Sequence, residues 1–246
     1  MCNRLRKNWD KVWEALKDSD QRRYLSPAVY AQYQVSLPLM RRYIHGDMID
    51  LGCGDMPFKR LLTGQVSAYH SLDLHPRSSE VTYIGDISNM SMIPPERYDS
   101  AICMEVLEHV PNPFRAVREI YRILRPGGIV ILSVPHLSRL HNEPYDYFRF
   151  TVYGLQQMLQ DAGLLVISIY TRGGLFSFWG HQLSTLLLSA LWPIPGLRQV
   201  AWLLNRWLIT YLCYNIDRLC DPSGLFALGY VSVARKPGGC AELVAD

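Results

Sequence analysis

Short apolar runs alternate with stretches of helical period between residues 46 and 170. DMIDL (47–51) has the pattern of a short buried strand that ends in a glycine turn, and Pro57 suits the first turn of a following helix. AYHSLDL (68–74) and VTYIGDI (81–87) are the next two strand patterns. YDSAICMEV (98–106) is a fourth and GIVILSV (128–134) a fifth, set off by RPGG, a helix stop and turn. Between these two, Ala116, Val117, Ile120, Tyr121 and Leu124 recur at helical spacing behind Pro111 and Pro113, as in a helix packed on a sheet. Thr151 is placed to cap a helix carrying Leu155, Met158, Leu159 and Ala162 and closed by Gly163. LLVISIY (164–170) and FALGYVSVARK (226–236) complete the strands. Strands alternating with helices imply parallel order with right-handed crossovers, hence a doubly wound α/β fold.

The pattern changes on either side of this region. MCNRLRKNWDKVWEAL has helical character, and Ser26-Pro27 has the chemistry of a second helix start, with Pro38 expected to kink or end that helix. Between LLVISIY and FALGYVSVARK lies an insertion far longer than a hairpin loop. From Gly173 to Leu197 it has no Lys, Arg, Asp or Glu, and Trp179, Trp192, Trp202 and Trp207 place four of the six tryptophans within it. Gly180, His181, Gln182 and the PIPG break at 193–196 argue against a clean membrane span. From Arg198 to Tyr214, Arg198, Gln199, Asn205 and Arg206 share one helical face, while Val200, Leu203, Leu204, Trp207, Leu208 and Tyr211 share the other. That arrangement suits a bilayer surface. Three uses fit such a segment: peripheral docking of 175–214 on the inner membrane leaflet, an apolar lid over the active site, or a homodimer interface.

Composition narrows the class. A chain of 246 residues buries one sizeable core, so one α/β domain with an elaboration is expected. A net charge of +3 with scattered basic residues gives no argument for a nucleic-acid partner. The six cysteines (Cys2, Cys53, Cys103, Cys213, Cys220, Cys240) include no CxxC pair and no zinc-like histidine spacing. Neither a metal site nor a disulfide framework is expected, and a reducing cytoplasm fits. The opening residues contain no apolar run of secretory length.

In a doubly wound sheet the ligand lies at the carboxyl ends of the strands. MIDLGCGDMPFKRLL (48–62) stands where the first strand ends, and Gly52 and Gly54 can take backbone angles closed to other residues while leaving space for a ligand. Asp73 ends the second strand nineteen residues beyond Gly54, where a carboxylate meets ribose hydroxyls. A dinucleotide fingerprint would have glycine where Pro57 stands, and Asp55 adds negative charge that repels phosphate. S-adenosyl-L-methionine, cationic and free of phosphate, is the better match. Five ordered blocks, IDLGCGD, SLDL, GDI, YDSAICMEVLEHVPNP and LRPGGIVILSVP, resemble the class I S-adenosylmethionine-dependent methyltransferases over residues 46–170 plus the last strand. The resemblance implies a Rossmann-like sheet, mostly parallel with a final antiparallel strand. It also implies that Asp50, Gly52 and Gly54 shape the cofactor turn, that Asp73 holds the ribose, that Asp86 and Ile87 flank the adenine, and that Met104 and Glu105 lie near the methionine half. The family's usual third glycine is Met56 here. Cys53 reads as a small buried residue rather than a nucleophile.

Methyl transfer is an in-line displacement that gains most from alignment and, for a hydroxyl acceptor, from proton removal. VPHLSRLHNEPYDYFRFT (134–151) is a polar, aromatic loop where substrate enters such a fold. His136 or His141 is the expected base and Asp146 a further catalytic candidate, although Asp146 with Arg149 also reads as a plain ion pair. Glu108 and His109 of the EHV run read as mainly structural. The segment HNEPYDYFR resembles those of methyltransferases in bacterial surface-glycan clusters. The sequence therefore predicts an S-adenosylmethionine-dependent enzyme that O-methylates a glycan, a glycolipid precursor or a similar hydroxyl at the membrane. Two alternatives stand beside it: a soluble methyltransferase of an apolar metabolite such as a quinone, and a non-catalytic module of the same fold. The expected organisation is a helical cap (1–45), the cofactor-binding core (46–170), the apolar helical insertion (171–224), the last core strand (225–237) and a tail (238–246).

Overall fold

The computed structural model describes residues 2–17, 19–221 and 223–238, so nearly all of the expected tail lies outside the described residues. The chain divides into two compact units. One comprises Ser36–Tyr170 and the strand from Gly229, the other the chain up to Val35 together with Thr171–Leu228. The observed divisions thus fall at 35/36, 170/171 and 228/229, and residues expected as an N-terminal cap share a unit with the insertion.

The first unit is built on a sheet. Its strands are β1 (Asp47–Leu51), β2 (Ala68–Asp73), β3 (Tyr83–Ile84), β4 (Tyr98–Met104), β5 (Leu124–Pro135), β6 (Leu165–Arg172) and β7 (Gly229–Arg235). Their order is β3-β2-β1-β4-β5-β7-β6. β1 pairs in parallel with β2 and β4, β2 with β3 and β4 with β5, whereas β7 runs antiparallel to β5 from Ile129↔Arg235 to Pro135↔Gly229. This is the mostly parallel sheet with one antiparallel strand that the sequence predicts. Met48, Ile49 and Leu51 of β1 and Ile102 and Cys103 of β4 are fully or almost fully buried, which explains why the central strands read as unbroken apolar runs. α4 (Pro113–Ile123) begins at Asn112, whose side chain accepts a hydrogen bond from the Arg115 N–H, and it buries Ala116, Val117, Ile120 and Ile123. α5 (Val152–Asp161) is capped by Thr151 as expected. The order of β2, β1 and β4 reverses the direction of the winding between β1 and β4, and that point positions the site.

Local expectations fail where tertiary pairing overrides them. α2 (Pro27–Tyr43) does not end at Pro38, and Leu39 and Met40 in the turn that follows it are buried. The helix expected from Pro57 reduces to the single turn α3 (Lys59–Leu62). RPGG does not delay β5, because Gly127 N–H donates to the Lys236 carbonyl and Lys236 N–H to the Gly128 carbonyl, each at 2.9 Å, which extends the ladder beyond β7.

The second unit is helical. α1 (Cys2–Leu16), the start of α2, α6 (Leu175–Leu191), α7 (Leu197–Leu204), a π-helical turn (Asn205–Tyr211) and α8 (Leu212–Cys220) enclose a core of Val12, Leu16, Leu25, Leu188, Ala201 and Trp202. Asp217 serves as a remote cap for α6, accepting from the N–H groups of Phe176 and Ser177 at 2.8 Å each. Across the π turn the polar and apolar faces are inverted relative to a water-soluble helix. Asn205 is 0% exposed and donates to the carbonyls of Tyr24 and Leu25, whereas Trp207 and Leu208 are 53% and 59% exposed.

Candidate functional site

The turn after β1 is held from β2. Gly52 and Cys53 N–H groups donate to the Leu72 carbonyl, and Gly54 N–H donates to Asp73 Oδ2 at 2.8 Å. Gly52, Gly54 and Met56 all have positive φ, at 69°, 52° and 51°, so the turn needs left-handed backbone three times in five residues. The two glycines have different surroundings. A Cβ on Gly52 would lie 2.4 Å from Val106 Cγ2, whereas a Cβ on Gly54 would meet nothing within 4 Å. Gly52 therefore serves close packing, and Gly54 presents bare backbone to open space.

Carboxylates stand on or just beyond the neighbouring strands, and Asp73 reaches the turn itself. Asp50 is buried within β1 and accepts a hydrogen bond from Tyr69 OH at 2.5 Å, and burial pushes its carboxyl up to about 7 despite that bond. Asp73 at the end of β2 uses both oxygens to organise backbone, Oδ2 for Gly54 and Oδ1 for the His75 N–H. Beyond Met104 at the end of β4, Glu105 stands at φ 57° with its N–H on the Ser133 carbonyl and Oε1 accepting from Ser133 Oγ. A non-glycine residue in that region is a strained position that a site tolerates. Asp86 is exposed and accepts from both N–H and Oγ of Ser88, so its side chain caps a turn, and beside it Ile87 is buried. Burial pushes the Cys53 thiol up to about 12 and the Cys103 thiol well above its ordinary range, so neither is a nucleophile.

The loop after β5 separates its candidates. The His136 ring lies 5.6 Å from that of Tyr230, tilted by 43°. Asp146 is gripped by Arg149 through a two-pronged pair at 2.6 and 2.7 Å, and the Arg149 guanidinium holds its carboxyl down to about 2. A carboxylate so depressed is a poor proton acceptor at neutral pH, and the two-pronged pair suits a pin for the loop. Asp146 Oδ2 also accepts the His141 N–H at 2.9 Å. Pinned in this way, His141 turns toward β4. Its Nε2 lies 3.7 Å from Glu108 Oε1, and the Nε2 of His109 lies at the same distance from that oxygen. The two imidazoles meet edge to face at 4.7 Å. Glu108, which sequence reasoning treated as structural, is 0% exposed, and neither of its oxygens has a hydrogen-bond partner. Burial, with the Glu105 charge adding to it, pushes the Glu108 carboxyl up to about 7. Burial lowers the pKa of His109. Burial also opposes protonation of His141, but the facing Glu108 and the Arg139 carbonyl outweigh it and leave that pKa raised. The signal that could have found this cluster is the EH pair directly after one central strand and a histidine in the loop after its neighbour.

A family model described as "Methyltransferase domain" matches residues 30–187, more than half of the chain. The chain belongs to the methyltransferase domain family. With its fold this makes it a class I methyltransferase, and the cofactor of that class is S-adenosyl-L-methionine. The methyltransferase is 43% identical over 70 residues to the ubiquinone biosynthesis O-methyltransferase of Proteus mirabilis, an alignment covering 28% of this chain and 27% of that protein. Among solved structures it resembles an S-adenosylmethionine-dependent methyltransferase from Archaeoglobus fulgidus, with 14% identity, TM-score 0.56 and coverage of 92% and 99% of the two chains. It also resembles the [4+2]-cyclase SpnF, with 18% identity, TM-score 0.57 and coverage of 84% and 83%. At such identities the structural likeness concerns the fold. The methyltransferase spans a quarter to a half of the length of the curated relatives it matches. No helix among the described residues is long and apolar enough to cross a membrane.

Proposed function

We propose that this protein O-methylates a hydroxyl on an apolar small molecule of the quinol or phenol type, held near a membrane surface. The observation that carries the reading is its similarity to several relatives named ubiquinone biosynthesis O-methyltransferase, and these favour an apolar acceptor over the glycan expected from the substrate loop. The outward apolar face of α6 to α8, with Trp179, Leu183, Trp207 and Leu208 exposed, supports the same reading, because an apolar acceptor partitions into the bilayer.

The residues at the strand ends fit S-adenosylmethionine. The open face over Gly54 accommodates a ligand against bare backbone, and the carboxylates of Asp73 and Glu105 suit a cation with hydroxyl and ammonium donors and disfavour phosphate. Asp50, Gly52 and Gly54 shape the turn, Asp73 takes the ribose, Asp86 and Ile87 border the adenine, and Met104 and Glu105 border the methionine half. When bound, the cofactor supplies an electrophilic methyl on a sulfonium. The chain's part is to align the acceptor oxygen and to take its proton, for which His136 and the Glu108–His141 pair are the candidate acceptors.

The test is incubation of the purified protein with methyl-labelled S-adenosylmethionine and a cell extract, followed by partition. Protein-dependent label in the organic phase is expected, and label confined to the aqueous phase would overturn the apolar acceptor. The surface reading is checked by sedimentation with phosphatidylglycerol-containing vesicles. Substitution of Trp179, Leu183, Trp207 and Leu208 by serine is expected to abolish it, whereas deletion of the insertion would also strip the core from Val12, Leu16 and Leu25.

A further inference from the structure

Three groups outside the cofactor turn converge on one point. Glu108 and His109 lie on the short turn after β4 (Leu107–His109), and His141 lies on the loop after β5. One ligand-capable atom from each lies within 4.8 Å of the others. Both rings have Nδ1 on a backbone carbonyl, His109 on Tyr145 at 2.6 Å and His141 on Arg139 at 3.2 Å. A carbonyl only accepts, so in each neutral ring Nδ1 carries the proton and Nε2 presents a lone pair. Asn142 Nδ2 stands 3.4 Å from His109 Nε2, at the long limit of a hydrogen bond. Both lone pairs therefore face Oε1 of a fully buried carboxylate that has no hydrogen-bond partner of its own. With both rings neutral these lone pairs repel the carboxylate, which stays buried at a cost. A cation between them removes both penalties.

We propose that Glu108, His109 and His141 bind a divalent transition-metal ion. Two imidazoles and a carboxylate favour Zn2+, Mn2+ or Fe2+ over the oxygen-seeking Mg2+ and Ca2+. Each carboxylate–imidazole pair has suitable spacing: an ion about 2.1 Å from two atoms 3.7 Å apart sees them at an angle of about 120°, within reach of a distorted tetrahedron. The carbonyl on each Nδ1 fixes the ring as outer partners of metal-bound histidines do. Three protein ligands leave a position open, as in catalytic zinc sites. A hydroxyl occupying that position would be acidified by the ion and would lose its proton to water or to His136, with Glu108 and His141 then serving as ligands rather than as the proton acceptor. This use rests on the O-methylation proposed above, whereas the site itself does not. It departs from the expectation of no metal, which considered cysteine pairs and zinc-like spacing in a single segment.

The experiment is titration of chelator-treated full-length protein with CoCl2, with no acceptor present, followed by visible absorption and calorimetry. One Co2+ per chain with ligand-field bands is expected. Glu108→Gln, which keeps the shape of the side chain, and the double variant His109→Ala/His141→Ala are each expected to weaken binding by more than the roughly 10- to 100-fold that loss of an outer partner costs. Retained S-adenosylhomocysteine binding by Glu108→Gln confirms that the variant is folded. Absence of Co2+ binding by the parent, or equal binding by parent and folded Glu108→Gln, overturns the site whatever the reaction proves to be. If Co2+ binds but methyl transfer proceeds equally with and without metal, the Lewis-acid role falls and the binding site stands.

Discussion

The two glycines of the cofactor turn make opposite demands, and alanine at each tests the assignment. At Gly54 an added Cβ has open space, so Gly54→Ala costs the fold only the left-handed backbone penalty, roughly 1–2 kcal/mol. At Gly52 the same penalty applies, and the Cβ also meets Val106 Cγ2 at 2.4 Å and Cγ1 at 2.7 Å. Overpacking of that kind adds about 1–3 kcal/mol, so Gly52→Ala should cost about 2–5 kcal/mol, a large share of the roughly 5–15 kcal/mol that holds a domain together. Val106→Ala removes both clashing carbons and leaves Val106 Cβ at 3.1 Å. Urea unfolding of the parent, both single variants and Gly52→Ala/Val106→Ala should therefore give a favourable coupling of about 1–3 kcal/mol. Ligand binding should follow the reverse order of severity relative to stability. Gly54→Ala, though well folded, is expected to bind S-adenosylhomocysteine at least about tenfold more weakly in calorimetry, because its methyl group occupies the ligand's side of the turn. A coupling indistinguishable from zero would refute the packing argument. A Gly54→Ala protein of near-parent stability that binds as the parent does would remove the cofactor from this turn.

Asp50 gives a pH signature. Its carboxyl titrates at about 7 when folded and near 3.9 when unfolded, so the folded state holds a proton that the unfolded state has lost. Stability from this group is present at low pH and declines as pH rises from about 4 to about 7, by up to about 4 kcal/mol, and the difference in unfolding free energy between parent and Asp50→Asn should follow that slope. A difference that is flat across the interval would exclude the buried proton. Arg149→Ala removes the fork on Asp146 together with bonds to the carbonyls of Ser138, Arg139 and Phe148. A loss of about 1.5–3 kcal/mol is expected, with increased proteolysis between 138 and 149, and an unchanged cleavage pattern would contradict it. Asn205→Ala takes the Asn205 Nδ2 donor from the Leu25 carbonyl, while Tyr24 keeps Thr210 Oγ1, so thermal and urea melts should report a loss of about 1–3 kcal/mol. A neutral result there would mean that water reaches the carbonyl.

What was legible in the sequence was what the chain encodes locally. β1, β4 and most of β5 could be read because strands buried on both faces are continuous apolar runs, and the turn could be read because its glycines stand where the backbone requires them. The Thr151 cap of α5 was legible for the same reason. What escaped depends on neighbours distant in the chain. The start of β5 is set by pairing to Lys236, and α2 continues past Pro38 into a turn whose Leu39 and Met40 are buried. Asn205 points inward because a π turn alters the phase on which a regular helical wheel depends. The same distinction separates two kinds of site residue. Asp50, Gly52, Gly54 and Asp73 belong to a turn and its adjacent strand, so their place could be read along the chain, with Asp55 and Pro57 arguing against a phosphate. Glu108 and His109 acquire chemistry only because β4 and β5 are adjacent and the Asp146–Arg149 pair turns His141 back toward them. A carboxylate buried with no donor has no stabilising role that its own segment explains. Its partner has to come from across the sheet or from a bound cation.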